Sequence, residues 1–257
     1  MNISILYEDE VMVVIEKPSG ITVNKSDTTN TEMTIQDWAV ERWQIANGNI
    51  QMEEQEVEEE LAEGEYGNDF YKRGGIVHRL DKETSGILLI AKTPEAFLAL
   101  QKQFKERSVK KAYWALVHER VLPIQGEINV PVGRLSWNRK KFGVIAGGRS
   151  AVTKYKVINF YINKARSAYS FLELYPETGR THQIRVHVAY LQRPIVSDAL
   201  YGGRKTSRDD RKKLGRLFLH AAKISFKHPV SGKDMKFESV LPAELEDFIS
   251  KNLEKSL

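Results

Sequence analysis

The sequence predicts an α+β protein, and three features of its patterning carry that expectation. Short apolar runs bounded by glycine, proline and polar turn residues recur from Ile5 to Val240. Amphipathic helical stretches are interspersed among them, and two long β-patterned runs, 151–161 and 167–175, are joined only by the turn material Asn163-Lys164-Ala165. Mixed strands and helices of this kind pack as a sheet with helices against it.

A chain of 257 residues with 41% hydrophobic content can bury a substantial core. With no internal repeat, low-complexity linker or clean boundary, a single domain over 1–257 is expected. There are no cysteines, which excludes disulfides and thiolate metal sites and is compatible with a cytoplasmic address. No signal-peptide pattern occurs and no apolar run approaches the roughly 20 residues that span a bilayer, so no membrane partner is expected.

The formal charge of +5 is unevenly distributed. Between Gln51 and Phe70 lie nine acidic residues and no lysine or arginine, so the rest of the chain is nine charges more positive than the total. A surface that basic suits a polyanion, with lysine and arginine supplying salt-sensitive phosphate contacts, or is simply a soluble basic surface. The acidic stretch itself, about 49–72, lacks a strong apolar stripe and reads as a solvated helix or mobile insertion.

Taken in order, Ile5-Leu6-Tyr7 and Val11-Met12-Val13-Val14-Ile15 read as a β-hairpin that ends in the turn Lys17-Pro18-Ser19-Gly20. Thr34 followed by Asp37 resembles a helix N-cap, with Ile35, Trp38, Ala39 and Trp43 at helical spacing and the tryptophans expected in the core. Ile87-Leu88-Leu89-Ile90-Ala91, between Gly86 and Pro94, reads as a strand buried on both faces. Thr93-Pro94-Glu95 then opens a helix with a cap, a proline at the first position and an early carboxylate. Ala112 to Val117 is a strand; Gly126 to Gly133 is extended, and Arg134 to Lys141 is an exposed basic loop holding Trp137. Ile184, Val188 and Leu191 mark a helix beginning near Thr181 and stopped by Pro194. Arg204 to Arg216 is a basic loop or short helix. Ala222 to Phe226 and Met235 to Val240 are strands, and Leu241-Pro242 leads into a terminal helix.

The stretch with most chemical promise is His78-Arg79-Leu80-Asp81-Lys82-Glu83-Thr84-Ser85-Gly86. It puts Asp81 in a loop feeding a buried strand, the setting in which rigid elements hold reactive side chains. On its own, Asp81 could be a nucleophile, a base, an ion-pair partner or a turn cap.

The string HRLDKETSGILLIAKT resembles the catalytic motif of the RluA family of RNA pseudouridine synthases, whose central aspartate attacks a uridine. A protein-kinase loop would have aspartate directly after His-Arg and an asparagine beyond it, and neither is present. Lys111-Ala112-Tyr113 resembles the family's second motif, and Glu177-Thr178-Gly179-Arg180-Thr181-His182-Gln183-Ile184-Arg185 its third. Asp198-Ala199-Leu200-Tyr201-Gly202-Gly203 resembles a family turn. The likeness runs from about residue 5 to about 245, broken mainly by the acidic stretch. It leaves no room ahead of the first hairpin for the S4-type RNA-binding domain that many relatives carry. The fold it implies is a curved, mainly antiparallel mixed sheet with flanking helices and a central basic cleft.

By this resemblance Asp81 is the catalytic carboxylate, Arg185 the guanidinium that pairs with it, and Tyr113 the ring against the target base. Arg79, Lys82, Arg180 and His182 are candidates for substrate binding. Arg180 and Arg185, five residues apart, lie about 140° around a helix and do not easily reach one site. Isomerising uridine is redox-neutral and implies no cofactor, and no dinucleotide loop, P-loop or metal-ligand pattern occurs. His182 and His187 have the wrong spacing to share a metal on one helical face. The implied partner is structured ribosomal or transfer RNA with a flipped-out uridine, acted on by a monomer. Two other classes fit less well. A retaining glycosidase needs a second carboxyl about 5 Å away, for which Glu83 is nearest in sequence. A non-catalytic RNA-binding protein could keep the same scaffold.

Overall fold

The computed structural model describes residues 1, 3–25, 32–45 and 65–256, without the side chains of 65–68, 139 and 140. The described chain divides into two compact units. Unit 1 comprises Met1–Val109 and Ser225–Phe237, and unit 2 comprises Lys110–Ile224 and Glu238–Leu257.

In unit 1, β1 (Ser4–Glu8), β2 (Met12–Lys17) and β3 (Ser85–Ala91) pair antiparallel in that order. Every residue of β3 is buried, as its unbroken apolar run requires of a central strand. α1 (Ile35–Trp43) starts at the expected place: Thr34 caps the Asp37 amide, and the Asp37 carboxylate returns a bond to the Thr34 N–H. Its tryptophans are not core residues. Trp38 and Trp43 are half-buried, edge to face at 5.1 Å, with the Arg42 guanidinium over both rings and the Trp43 indole N–H bonded to Glu8. A short helix offers one buried stripe, and Ile35 and Ala39 already fill it.

Of the acidic stretch read as solvated, residues 49–64 lie outside the described residues. Its end forms α2 (Glu65–Arg73), where Phe70 is only 2% exposed and meets Phe97 edge to face at 5.7 Å. The Phe97 partner comes from α3 (Pro94–Lys105), which is capped by Thr93 with Pro94 in its first turn, as the sequence indicates. Between α2 and β3 the chain passes so close to Ala91 that a Cβ on Gly75 would lie 2.0 Å from the Ala91 carbonyl oxygen; φ there is +73°. Only glycine fits.

In unit 2, β4 (Lys110–His118), β9 (Ala168–Pro176), β8 (Val152–Asn163) and β12 (Leu253–Ser256) are neighbours in that order, and β5 (Gln125–Asn129) also pairs with β8. All these pairings are antiparallel. Leu116, Leu172, Leu174, Ile195, Phe218 and Leu245 belong to the core beneath them. The stretch expected as a basic loop is instead a hairpin, β6 (Val132–Leu135) with β7 (Asn138–Val144), packed through Phe142 and Val144 onto Val132, Ala151 and Val186. At its tip Trp137 is 75% exposed.

α4 (Gln183–Tyr190), α5 (Arg204–Leu214) and α6 (Ala243–Asn252) complete the helices of unit 2 among the described residues. β10 (Leu219–Lys227) contributes residues to both units and pairs with β11 (Asp234–Glu238). The α+β expectation, with mostly antiparallel strands, is met. Among the described residues no helix is long and apolar enough to cross a membrane.

Candidate active-site residues

Asp81 belongs to unit 1, in the turn that leads into β3, and is half-buried. Its backbone carbonyl accepts the Thr84 N–H at 3.0 Å. What holds this loop comes from the Lys17-Pro18-Ser19-Gly20 turn. Lys17, the last residue of β2, is completely buried, and its ammonium donates to the carbonyls of Pro18 (2.8 Å), Ile21 (2.8 Å) and Lys82 (3.1 Å). Gly20 N–H donates to the same Lys82 carbonyl at 2.8 Å, and Ser19 Oγ to the Glu83 carbonyl at 2.8 Å. A buried cation is tolerable only when its donors are satisfied, and here the donor set staples the Lys17–Gly20 turn to the backbone just after Asp81.

The residues around Asp81 divide their tasks. Lys82 Nζ pairs with Glu32 at 2.6 Å, and both side chains are largely exposed. His78 stacks on Phe104 at 4.8 Å and accepts the Leu89 N–H at 3.0 Å through Nε2, so it fixes the strand. Arg79 is exposed.

Tyr113 and Arg185 belong to unit 2. Tyr113 lies on β4 opposite Leu174 and packs on the unit's core. Two residues earlier, burial pulls the Lys111 ammonium down to about 8.

Arg185, buried on α4, is gripped by Asp198: Nε donates to Oδ2 at 2.8 Å and Nη2 to Oδ1 at 2.9 Å. Asp198 is itself wholly buried, and its Oδ1 also accepts the backbone N–H groups of Leu200 (2.9 Å) and Tyr201 (3.1 Å). The Arg185 guanidinium lies over the Tyr201 ring at 5.1 Å. The Tyr201 hydroxyl accepts the Phe142 N–H of β7 at 3.1 Å and lies 3.0 Å from His182 Nδ1. Asp198 and Tyr201 thus form one bracket that seats Arg185, His182 and the β6–β7 hairpin. Gly202 closes it, since a Cβ there would lie 2.7 Å from the Asp198 carbonyl oxygen. The only signal for this bracket in the sequence is the resemblance of 198–203 to a family turn.

His182 is also the residue before α4, with φ +55° and no side-chain cap bond. Arg180 lies three residues before α4, so the helical spacing to Arg185 does not apply, and its Nε donates to the Ser150 carbonyl at 3.0 Å. His187 lies 2.9 Å from Thr153 Oγ1, and burial pushes its imidazole down. Among the described residues no group of three metal-ligating side chains occurs.

Sequence comparison places the chain in a class defined by a reaction on the nucleotides of RNA. A family model described as RNA pseudouridylate synthase matches residues 11–190. The chain belongs to that family, in its RluA-type branch.

Among its relatives is the ribosomal large subunit pseudouridine synthase D of Neisseria meningitidis, 36% identical over 97% of this chain and 61% of the relative. The protein of the same name from Pseudomonas aeruginosa is 34% identical over 97% of this chain and 70% of its own. The chain therefore spans about three fifths of the length of the Neisseria relative. A solved structure, human RNA pseudouridylate synthase domain containing 1, superposes with a TM-score of 0.69 at 24% identity, covering 99% of this chain and 89% of that one, and so shares the fold.

Proposed function

We propose that the protein is an RNA pseudouridine synthase, with large-subunit ribosomal RNA as its substrate. The observation that carries this reading is that the family match runs through Asp81, Tyr113 and Arg185 together, and that the loop holding Asp81 is fixed by part-buried hydrogen bonds. The choice of RNA follows the names of the Neisseria and Pseudomonas relatives.

The reaction breaks the bond from ribose C1′ to uracil N1, turns the base over and joins C1′ to C5. The C5 proton leaves and N1 gains one, so the RNA keeps its composition and no oxidant or reductant is consumed. In this reading Asp81 is the carboxylate nucleophile, Arg185 steadies it, and Tyr113 stacks on the uracil and assists loss of the C5 proton. Arg79, Lys82, Arg180 and His182 serve substrate binding. A uridine inside a stem is first extruded at a cost of a few kcal/mol, which phosphate and stacking contacts offset. The protein acts in the cytoplasm as a monomer.

Pseudouridine has the mass of uridine, so the test is carbodiimide labelling of large-subunit ribosomal RNA followed by reverse-transcription stops. Wild-type protein should create new stops, and Asp81→Asn should create none while still binding the RNA. Stops made by purified Asp81→Asn would overturn the assignment. RNA binding by the wild type without any new stop on total RNA would identify a non-catalytic RNA-binding protein instead.

A further inference from the structure

α5 separates its side chains by task. At 3.6 residues per turn, Ser207, Asp210, Arg211 and Leu214 fall within about 100° of the helix circumference, and Arg204, Arg208, Lys212 and Lys205 fall within another arc of about 100°. The first group faces the protein. Ser207 and Asp210 are buried; Asp210 Oδ2 accepts the Ser197 N–H at 3.0 Å and lies 2.9 Å from His118 Nε2. Arg211 Nε donates to the Ser197 carbonyl at 3.0 Å. Both backbone groups of Ser197 are therefore held by α5, and Ser197 directly precedes the aspartate that grips Arg185.

The second group is entirely exposed and runs along about 12 Å of helix. Helix stability does not account for it. Lys212 in the last turn suits the helix dipole, as do Arg211 and Lys213. Arg204 and Lys205 occupy the first turn, where the dipole opposes positive charge; that turn has no acidic residue, and its N-cap is Gly203 with no side-chain bond. Asp209 at the edge of the stripe lies 3.9 Å from Arg208 and 3.8 Å from Lys212, exposed pairs of a kind that contribute little. No exposed apolar residue interrupts the face. Protein partners need a desolvated aromatic or aliphatic centre, whereas phosphate backbones are bound by cations alone.

We propose that the outer face of α5 is a docking surface for the sugar–phosphate backbone of the RNA, held by Arg204, Lys205, Arg208 and Lys212. It rests on the RNA reading above and specifies where part of the affinity comes from. Because the inner face is fastened to the Ser197–Asp198 turn, phosphates bound here are held in fixed relation to Arg185.

The test compares the triple variant Lys205→Gln, Arg208→Gln, Lys212→Gln with a control that removes the same charge elsewhere, Lys164→Gln, Lys233→Gln, Lys251→Gln. Binding of an in vitro transcript of large-subunit ribosomal RNA is titrated over a range of salt, with poly-glutamate as competitor and thermal unfolding as a folding check. The α5 variant should bind at least about tenfold more weakly, and its slope of log K against log salt should be shallower by roughly 2, the value for three lost phosphate contacts at about 0.7 each. The control should keep the wild-type slope, and poly-glutamate at matched charge should compete poorly. An unchanged slope in the α5 variant, an equal loss in the control, or full competition by poly-glutamate would each overturn the proposal. The Asp81→Asn result separates the two readings. If that variant is inactive and α5 neutralisation leaves binding intact, only the docking surface fails; if Asp81→Asn stays active and α5 neutralisation weakens binding, only the catalytic reading fails.

Discussion

Asp198 holds Arg185 with both carboxylate oxygens, at 2.8 and 2.9 Å, and neither side chain has appreciable contact with solvent. An arginine so held has lost most of its rotational freedom before any substrate arrives, which is how a positioned charge acts without reorganising. The pair also exposes a liability, because removing one partner strands the other charge.

Asp198→Ala should therefore cost about 3–5 kcal/mol of stability. Asp198→Asn, which keeps an acceptor for the Leu200 and Tyr201 amides but loses the charge, should cost less. Urea unfolding measures both. If Asp198 acts through Arg185, the asparagine variant should also lose kcat on RNA while its Kd for RNA changes little. Loss of stability with unchanged kcat would make the pair purely structural.

Lys17→Met should behave as a loop mutation although it lies on a strand. Three carbonyls lose this donor, of which the Lys82 carbonyl keeps the Gly20 N–H, and unpaired buried acceptors of this sort cost about 1–3 kcal/mol each before relaxation or water repairs them. A net loss of about 2–4 kcal/mol is expected in denaturant unfolding. Hydrogen exchange should quicken at the amides of Gly20 and Thr84, which mark the staple and the Asp81 turn.

Acid should weaken the fold in two stages. Burial pushes the His220 imidazole down to about 4 from its ordinary 6.5, and burial lowers His187 in the same direction. As pH falls from about 6.5 to about 4 the unfolded chain takes up protons there and the folded chain does not, so stability declines. Asp9 is opposite in kind. Burial raises its carboxyl, but bonds from His228, Tyr7 and the Val11 and Met12 amides outweigh that and hold it at about 2. Its contribution is present above about 4 and is lost as pH falls toward 2. Urea unfolding across this range measures both stages, and His220→Gln should flatten the upper one.

Structure is legible in the sequence where local chemistry decides it. β3 followed from five apolar residues between a glycine and a proline, α1 and α3 from their capping threonines, and the β8–β9 pair from alternation around a turn. Structure is not legible there where partners arrive from elsewhere in the chain. The β6–β7 hairpin carries Arg134 and Lys141 like a loop, and what fixes it is Phe142 meeting Val132, Val186 and Tyr201. β12 has one buried residue, Leu253, and is a strand because β8 offers it an edge. Asp81 stands out as a candidate through a motif, whereas the staple from Lys17 and the grip of Asp198 on Arg185 are tertiary contacts that no periodicity encodes.

Lys17 and Lys82 are joined across sixty-five positions, and the donor precedes the acceptor in the direction of synthesis. A ribosome making this chain releases the first two strands well before the aspartate turn leaves the tunnel. The donor is thus made before the acceptor that it holds, and the staple closes only once the Lys82 turn has emerged.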